Sequence, residues 1–526
     1  MRKRYLAILL IMSVFLIWGS GSGAVLASQN NYDKQYTYTV SMMNPEIVKQ
    51  DPRYKYLKDK FNVDFKFRPV NWSNWNEKVR IWTASGDMPD IMWMGFNDSN
   101  FSEYVNWASQ GAYKPLPKLK GKYPHLYQLR QKLKTDDYWE IDGKLYAWPI
   151  YMNSAAWRNP IVSTFSFIYR VDWAKAVGLY HADNNYSWQE MKEMALAFKQ
   201  QDPGENGKDK TIGIAGIGWT WPWFAGLIQT HQSNDFPLKN GKYVWGPAQP
   251  EYLAGIKEIK SLYDQGILWE DQPIANNNAA RNKFIAGELG IYYTNVNVGD
   301  YYNNVLVPMQ QAQPDLDIFK DIEPMYVASP RGNFFDQEVV DYWSATLFSP
   351  EMSDDKLARW LELSDYMASQ EGMHLATIGI KDKNYRLKDN GEIELLWPED
   401  ENGKPVNPFD SRAIRFFELT TMHDKFALND PSVPEEVKAD VKGILRRHLK
   451  DDVNVLAYPY QVNWFNGSTY TRYVSRIADT NAEISEAVVS SQNMAELEAS
   501  WQEYLKSKET TVNKILKEIN QQLLEK

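Results

Sequence analysis

The chain has 526 residues, with 58 basic and 67 acidic side chains, a formal net charge of −9 and no cysteine. Charges of both signs are mixed along it without a basic block, which argues against nucleic acid or an anionic membrane surface as a partner. Disulfide and thiol chemistry are absent, and the length exceeds what one hydrophobic core organises, so two lobes are expected.

Arg2, Lys3 and Arg4 precede an apolar run over 5–18, and Gly19 to Gly23 break it before Val25, Leu26 and Ala27. This is the pattern of a cleavable signal peptide, residues 1–27, with an apolar run short for a bilayer span. No cysteine follows the run, so no lipid attachment is expected. The mature chain is expected to be secreted, periplasmic or at the cell surface. Residues 35–42 alternate as a strand, 51–61 read as a helix, 63–67 as a strand, 72–84 as a helix and 90–94 as a short buried strand. A strand–helix–strand–helix–strand opening implies parallel strands, because crossover helices let successive strands run the same way. Further helices are expected over 188–199, 250–265, 354–369 and from 494 to the C-terminus. Ser187 with Glu190 three residues on forms a capping-box pattern. Asn276 to Asn278 read as a polar loop and 399–408 as a hairpin tip.

Aromatic residues are abundant, 21 Trp, 32 Tyr and 21 Phe, in a chain of mean hydropathy −0.54. Such rings fill large cores, but their clustering also suits a surface that grips a flat, hydroxylated ring. Trp72 and Trp75 stand three apart, and Trp219, Trp221 and Trp223 alternate.

Several segments resemble one known family. Ala84-Ser85-Gly86-Asp87-Met88-Pro89-Asp90 is similar to the A-S-G-D-x-P-D signature of extracellular solute-binding proteins of ABC importers. Asp142 to Pro149 (DGKLYAWP) resembles that family's D-G-K-x-Y-x-x-P hairpin. Ile168 to Trp173 (IYRVDW) with Gly178-Leu179 resembles its strand-to-helix unit, and Phe284 to Ile291 (FIAGELGI) its glycine-marked strand start. Glu371-Gly372, Gly379 and Tyr385 resemble its E-G…G…Y stretch, and Trp501 and Tyr504 sit in a similar C-terminal helix. The six segments occur in the family's order and span nearly the whole mature chain. They resemble most the long, oligosaccharide-binding branch that includes LplA-like lipoproteins and alginate-binding proteins.

The resemblance implies an α/β, two-lobe, periplasmic-binding-protein-like fold with a hinge and an interlobe cleft. Expected boundaries are 33–160 plus 340–378 for the first lobe and 161–339 plus 379–526 for the second. It implies a monomeric, non-catalytic carbohydrate-binding component that closes on an oligosaccharide and delivers it to an ABC permease, with no cofactor. Because ligands in open α/β sheets sit at the carboxyl ends of strands, the candidate ligand contacts are Trp93, Phe96, Asn97, Trp148, Tyr151, Trp219, Trp221, Trp223, Tyr292, Tyr293, Asn295, Asn297, Trp343, Tyr460 and Trp464. An acidic ligand would call for Arg170, Arg331 or a lysine at the cleft.

Residues 202–211 resemble the calcium loop of alginate-binding relatives, D-x-N-x-N-G-x-x-D-E. Asp202, Asn206 and Gly207 are kept, whereas Gly204, Lys210 and Thr211 remove ligands and negative charge. Calcium needs six to eight oxygen ligands, so a metal-free turn is the favoured reading. No G-x-S-x-G, H-E-x-x-H, Walker or dinucleotide fingerprint occurs, and the six histidines lack ligand spacing. The alternatives are a secreted polysaccharide hydrolase or lyase, and a sugar-binding sensor or adhesin without transport.

Overall fold

The computed structural model describes residues 32–524 except 73, 97–99, 153–161, 208–209, 219–235, 277, 400–402, 404, 421, 424–432, 451, 457–459 and 478–479. The signal-peptide segment therefore lies outside the described residues.

Two mixed sheets organise the chain. We label their strands β1 (Tyr36–Met42), β2 (Val63–Pro69), β3 (Ile91–Met94), β4 (Ala147–Met152), β5 (Phe165–Arg170), β6 (Asn185–Tyr186), β7 (Ile212–Gly216), β8 (Leu289–Asn295), β9 (Ile322–Val327), β10 (Tyr342–Phe348) and β11 (Met422–His423). The first sheet has the order β11-β4-β10-β3-β1-β2 and the second β6-β9-β5-β8-β7. In the first, β1 runs parallel to β2 and β3 while β10 is antiparallel to β3 and β4. In the second, β8 is parallel to β7, and β5 is antiparallel to both β8 and β9.

The opening elements follow the expected sequence, and local chemistry explains their ends. The helix Pro52–Phe61 starts where the Asp51 carboxylate accepts the Arg53 N–H at 2.8 Å and Pro52 occupies a position needing no N–H donor. The Trp188–Gln201 helix has the full capping box: the Glu190 N–H donates to Ser187 Oγ at 3.2 Å, and the Ser187 N–H to Glu190 Oε2 at 2.7 Å. Asp142 and Gly143, both at positive φ, make the two-residue turn of the D-G-K hairpin. No described helix is long and apolar enough to cross a membrane.

Each sheet has its own core. Tyr38, Val40, Ile91, Met92 and Leu347 belong to that of the first. Phe167, Tyr169, Ile214 and Ile291 pack on one side of the second sheet, and Ile168, Leu289 and Ile322 on the other. Phe409, Phe416, Phe417 and β11, which the expected boundaries give to the second lobe, pack instead with the first sheet. Strand β11 pairs with β4, Phe416 meets Tyr54 and Phe65 edge-on at 5.1 Å each, and Arg53 lies over Phe409 and Phe417. An apolar pair, Phe416-Phe417, had to be buried somewhere, and the space beside β2 takes it.

The chain passes between the sheets after β4, before β10 and after β11. All three passages join the first sheet at the end where β1, β2 and β3 finish. The first two join the second at the end where β7, β8 and β9 finish, and the third leads to the helix Glu435–Arg446. The carboxyl ends of both sheets therefore face the connecting segments, which is where an open α/β sheet holds its ligand. The first two passages run side by side, bridged by Val162 and Glu338. The second is pinned by Asp341, which accepts the Thr135 hydroxyl at 2.7 Å and the Lys134 N–H.

Candidate functional site

Four tryptophans from three segments meet at the carboxyl end of the first sheet. Trp93 is the penultimate residue of β3, Trp343 the second of the antiparallel β10 beside it, and Trp72 and Trp75 follow β2. The Trp75 and Trp93 ring centres are 4.3 Å apart, and Trp93 and Trp343 meet at 5.0 Å and 67°. Trp72 stands edge-on to both Trp75 and Trp93, at 6.0 and 6.1 Å. Such tilted and edge-on contacts place positive ring edges on negative ring faces.

Backbone chemistry holds this cluster in place. The Asn71 N–H donates to Asn74 Oδ1 at 2.9 Å and the Asn74 N–H to Asn71 Oδ1 at 3.1 Å, closing the turn that carries Trp72. Gly95 follows β3, and a Cβ there would lie 3.1 Å from the tip of Trp75, so a larger residue would push the indole off the strand end. Gly95 is also held at both backbone groups, its N–H by Asn76 Oδ1 and its carbonyl by the Asn100 amide.

Burial separates the roles. Trp93 and Trp75 form the supporting layer, whereas Trp72 keeps 55% of its surface exposed. Trp72 is thus the indole presented to solvent at this end, although only its spacing from Trp75 marked it in the sequence. Arg415, from the helix Ile414–Glu418, places its guanidinium carbon 5.2 Å from the Trp72 ring centre and 5.3 Å from that of Trp343. Nothing local in the sequence signals Arg415, because it reaches the site from more than three hundred residues beyond Trp72.

The remaining expected contacts divide by what surrounds them. Phe96 packs on Tyr104 and Trp139, and Trp148 and Tyr151 are buried in the first core. Tyr292 and Tyr293 point to opposite faces of the second sheet and are buried on each. All five rings are buried. Asn295 accepts the Thr164 hydroxyl. Asn297 caps the following helix, accepting the Asp300 N–H at 2.9 Å while its amide donates to the Asp300 carboxylate at 2.9 Å. These polar groups therefore serve the protein's own backbone and side chains. Trp464 is buried against Tyr138, Phe101 and Tyr342. Asn97, Trp219, Trp221 and Trp223 lie outside the described residues, as does the side chain of Tyr460.

Arg170 stands at the far end of β5, opposite the connecting segments, where Asp172 takes its guanidinium and Trp173 its face. With Gly204, Asn206 and Gln313 it lines a hollow of about 270 Å³. Arg331 lies in an exposed turn after β9, at the carboxyl end.

In the described part of the 202–211 loop, the chain's own donors take up Asp202. Asp202 accepts the Asn206 N–H at 3.0 Å, the Gly207 N–H at 2.8 Å and the Thr211 hydroxyl, so both carboxylate oxygens are occupied. These donors hold its carboxyl below the usual range, the Thr211 hydroxyl foremost. The Asn206 amide donates to Thr211 Oγ1 and to the Gly287 carbonyl. At Gly204 any Cβ would lie 2.4 Å from Trp173, so no carboxylate can occupy that position. Among the described residues no group of three or more acidic, histidine or cysteine side chains is placed to hold a metal. The donor set does not fit calcium.

Comparison with known proteins agrees with this architecture. The model of the bacterial extracellular solute-binding protein family matches residues 44–348. Lipoprotein LipO of Bacillus subtilis (strain 168) is 25% identical over 399 residues, 74% of each chain. The polygalacturonan/rhamnogalacturonan-binding protein YtcQ of the same organism is 26% identical over 225 residues, 42% of each. Among solved structures, alginate-binding protein AlgQ2 without calcium ion superposes with a TM-score of 0.68 at 16% identity, covering 94% of this chain and 99% of that one. The S. pneumoniae ABC-transporter substrate-binding protein FusA in complex with kestose gives 0.63 at 17% identity, covering 94% and 100%.

Proposed function

The chain belongs to the bacterial extracellular solute-binding proteins, and from that premise we propose that it binds an oligosaccharide between its lobes and passes it unaltered to an ABC permease. The half-exposed Trp72, backed by three further indoles at the carboxyl end of the first sheet, carries the reading. An indole face is apolar and electron-rich. It suits the C–H face of a sugar ring, while amide and guanidinium groups at the rim suit hydroxyls.

Ligand bridging both lobes shifts a population of open and closed arrangements toward closed, because only the closed arrangement makes both sets of contacts. The relatives named above support the ligand class: YtcQ binds polygalacturonan or rhamnogalacturonan, AlgQ2 binds alginate, and FusA was solved with kestose. We further propose that the protein acts as a monomer, exported by a leader comprising residues 1–27.

Titration calorimetry of the purified protein against fragments of pectin, alginate, xylan, mannan and fructan tests this. One class should bind at one molecule per chain and be recovered intact by chromatography. A ligand at about 100 times its dissociation constant should add about 2.7 kcal/mol of stability. Steady release of shorter fragments, or no binding by any class, would overturn the proposal.

A further inference from the structure

We propose that Arg415 forms a carboxylate-binding subsite beside Trp72, so that the saccharide carried is acidic, built with uronate residues. The inference rests on the oligosaccharide reading and names its substrate class.

The geometry of the guanidinium carries the argument. Its Nε–H and the adjacent Nη2–H point the same way and make the two-pronged edge that matches a carboxylate. In this chain Arg53, Arg80, Arg170 and Arg412 each turn that edge to an acid, on Asp51, Glu103, Asp172 and Asp410 respectively. Arg415 does not. It uses Nη1 for Glu418, at 2.5 Å, while Nε and Nη2 bond to no described residue. Glu418 is 3% exposed and Arg415 26%. The buried acid thus holds one nitrogen of a partly exposed guanidinium and does not engage the two-pronged edge.

Two further observations favour an anion over a neutral diol. The guanidinium rests against both Trp72 and Trp343, so its orientation is largely set before binding and little ordering remains to be lost. Lys78 adds a second cation at this rim. Its ammonium donates to the Pro69 carbonyl at 2.9 Å, three residues before Trp72, and it forms no ion pair among the described residues.

The test compares oligogalacturonate and oligoalginate with the same oligosaccharides after reduction of their carboxyl groups to alcohols, by calorimetry on the purified protein. At least one acidic form should bind about tenfold or more tighter than its reduced counterpart, and the gap should narrow as salt is raised. Arg415→Gln should erase the gap while the reduced sugar binds as before, and Arg415→Lys should restore only part of it. Equal binding of acidic and reduced forms to the unaltered protein, with Trp72 still required, would overturn the subsite and leave the oligosaccharide reading standing. That comparison needs no variant to fold. Failure of both forms and of every neutral fragment to bind would remove both.

Discussion

Trp464 lies on Tyr138 with ring centres 4.7 Å apart and planes 28° from parallel. The next residue, Phe465, packs instead on Tyr470, 5.6 Å away, in the core under the C-terminal helix Met494–Leu524. Two adjacent aromatics thus tie the C-terminal segment to the first lobe and to its own helix. Trp464→Ala should lower unfolding stability by about 3–5 kcal/mol, and Trp464→Phe by much less, as read by denaturant melts. A loss below about 1 kcal/mol would show that the stack is incidental.

Trp72 predicts the opposite pattern. Its ring is half-exposed, so Trp72→Ala should cost no more than about 1 kcal/mol of stability. It should weaken sugar binding by about 1–3 kcal/mol, on the scale of aromatic stacking. Trp93→Ala, by contrast, should lower the melting temperature markedly, because Trp93 is buried beneath Trp72. Unchanged affinity in Trp72→Ala would move the binding surface elsewhere.

Much of this was legible in the chain, within limits set by physics. Alternation, capping residues and turn dipeptides are local, so the parallel opening of the first lobe, the Ser187 box and the Asp142-Gly143 turn could be read directly. Trp93 and Trp343 could be placed at a sheet's end because strand ends follow from strand positions. Whether a ring shows its face depends on what lies over it, which periodicity cannot show. Hence Phe96, Trp148 and Tyr292 read as site candidates yet fill cores. Asn297 illustrates a related point: an amide after a strand suits a ligand and a helix start equally, and here its oxygen accepts the Asp300 N–H. Arg415 was invisible because its partners are brought to it only by tertiary structure.

That account of Asn297 makes its own prediction. Asn297→Ala should cost about 1 kcal/mol of stability, the ordinary worth of an N-cap, and leave sugar affinity unchanged. A variant of normal stability that no longer binds would return Asn297 to the ligand site.

Closure of the 202–211 loop by its own donors predicts indifference to chelation. EDTA should leave both the melting temperature and sugar binding as they were, and added calcium should not raise either. Thr211→Val should destabilise by about 1–3 kcal/mol. It removes the hydroxyl that donates to Asp202 and accepts from the Asn206 amide, stranding polar groups in a partly buried turn. A melting temperature that falls on chelation would show that the loop holds a metal.

The pH dependence should carry the mark of Asp440. This carboxyl, on the helix Glu435–Arg446, accepts the Tyr301 hydroxyl at 2.8 Å. Burial pushes its pKa up to about 7, with Glu323 adding to the rise and the Tyr301 bond opposing it. A raised carboxyl pKa means that the folded protein keeps a proton the unfolded chain has lost. Below about pH 4 both states are protonated and the group is neutral to stability. Between about pH 4 and 7 the unfolded chain ionises first, so stability falls as pH rises; above about 7 both are ionised and the penalty is constant. Asp440→Asn keeps an acceptor for Tyr301 and cannot ionise. Its stability relative to the native protein should therefore grow across that window and level off above it. Denaturant melts of both proteins from pH 4 to 8 give the difference directly, and a gap that stays flat or shrinks would show that Asp440 ionises as an ordinary surface acid.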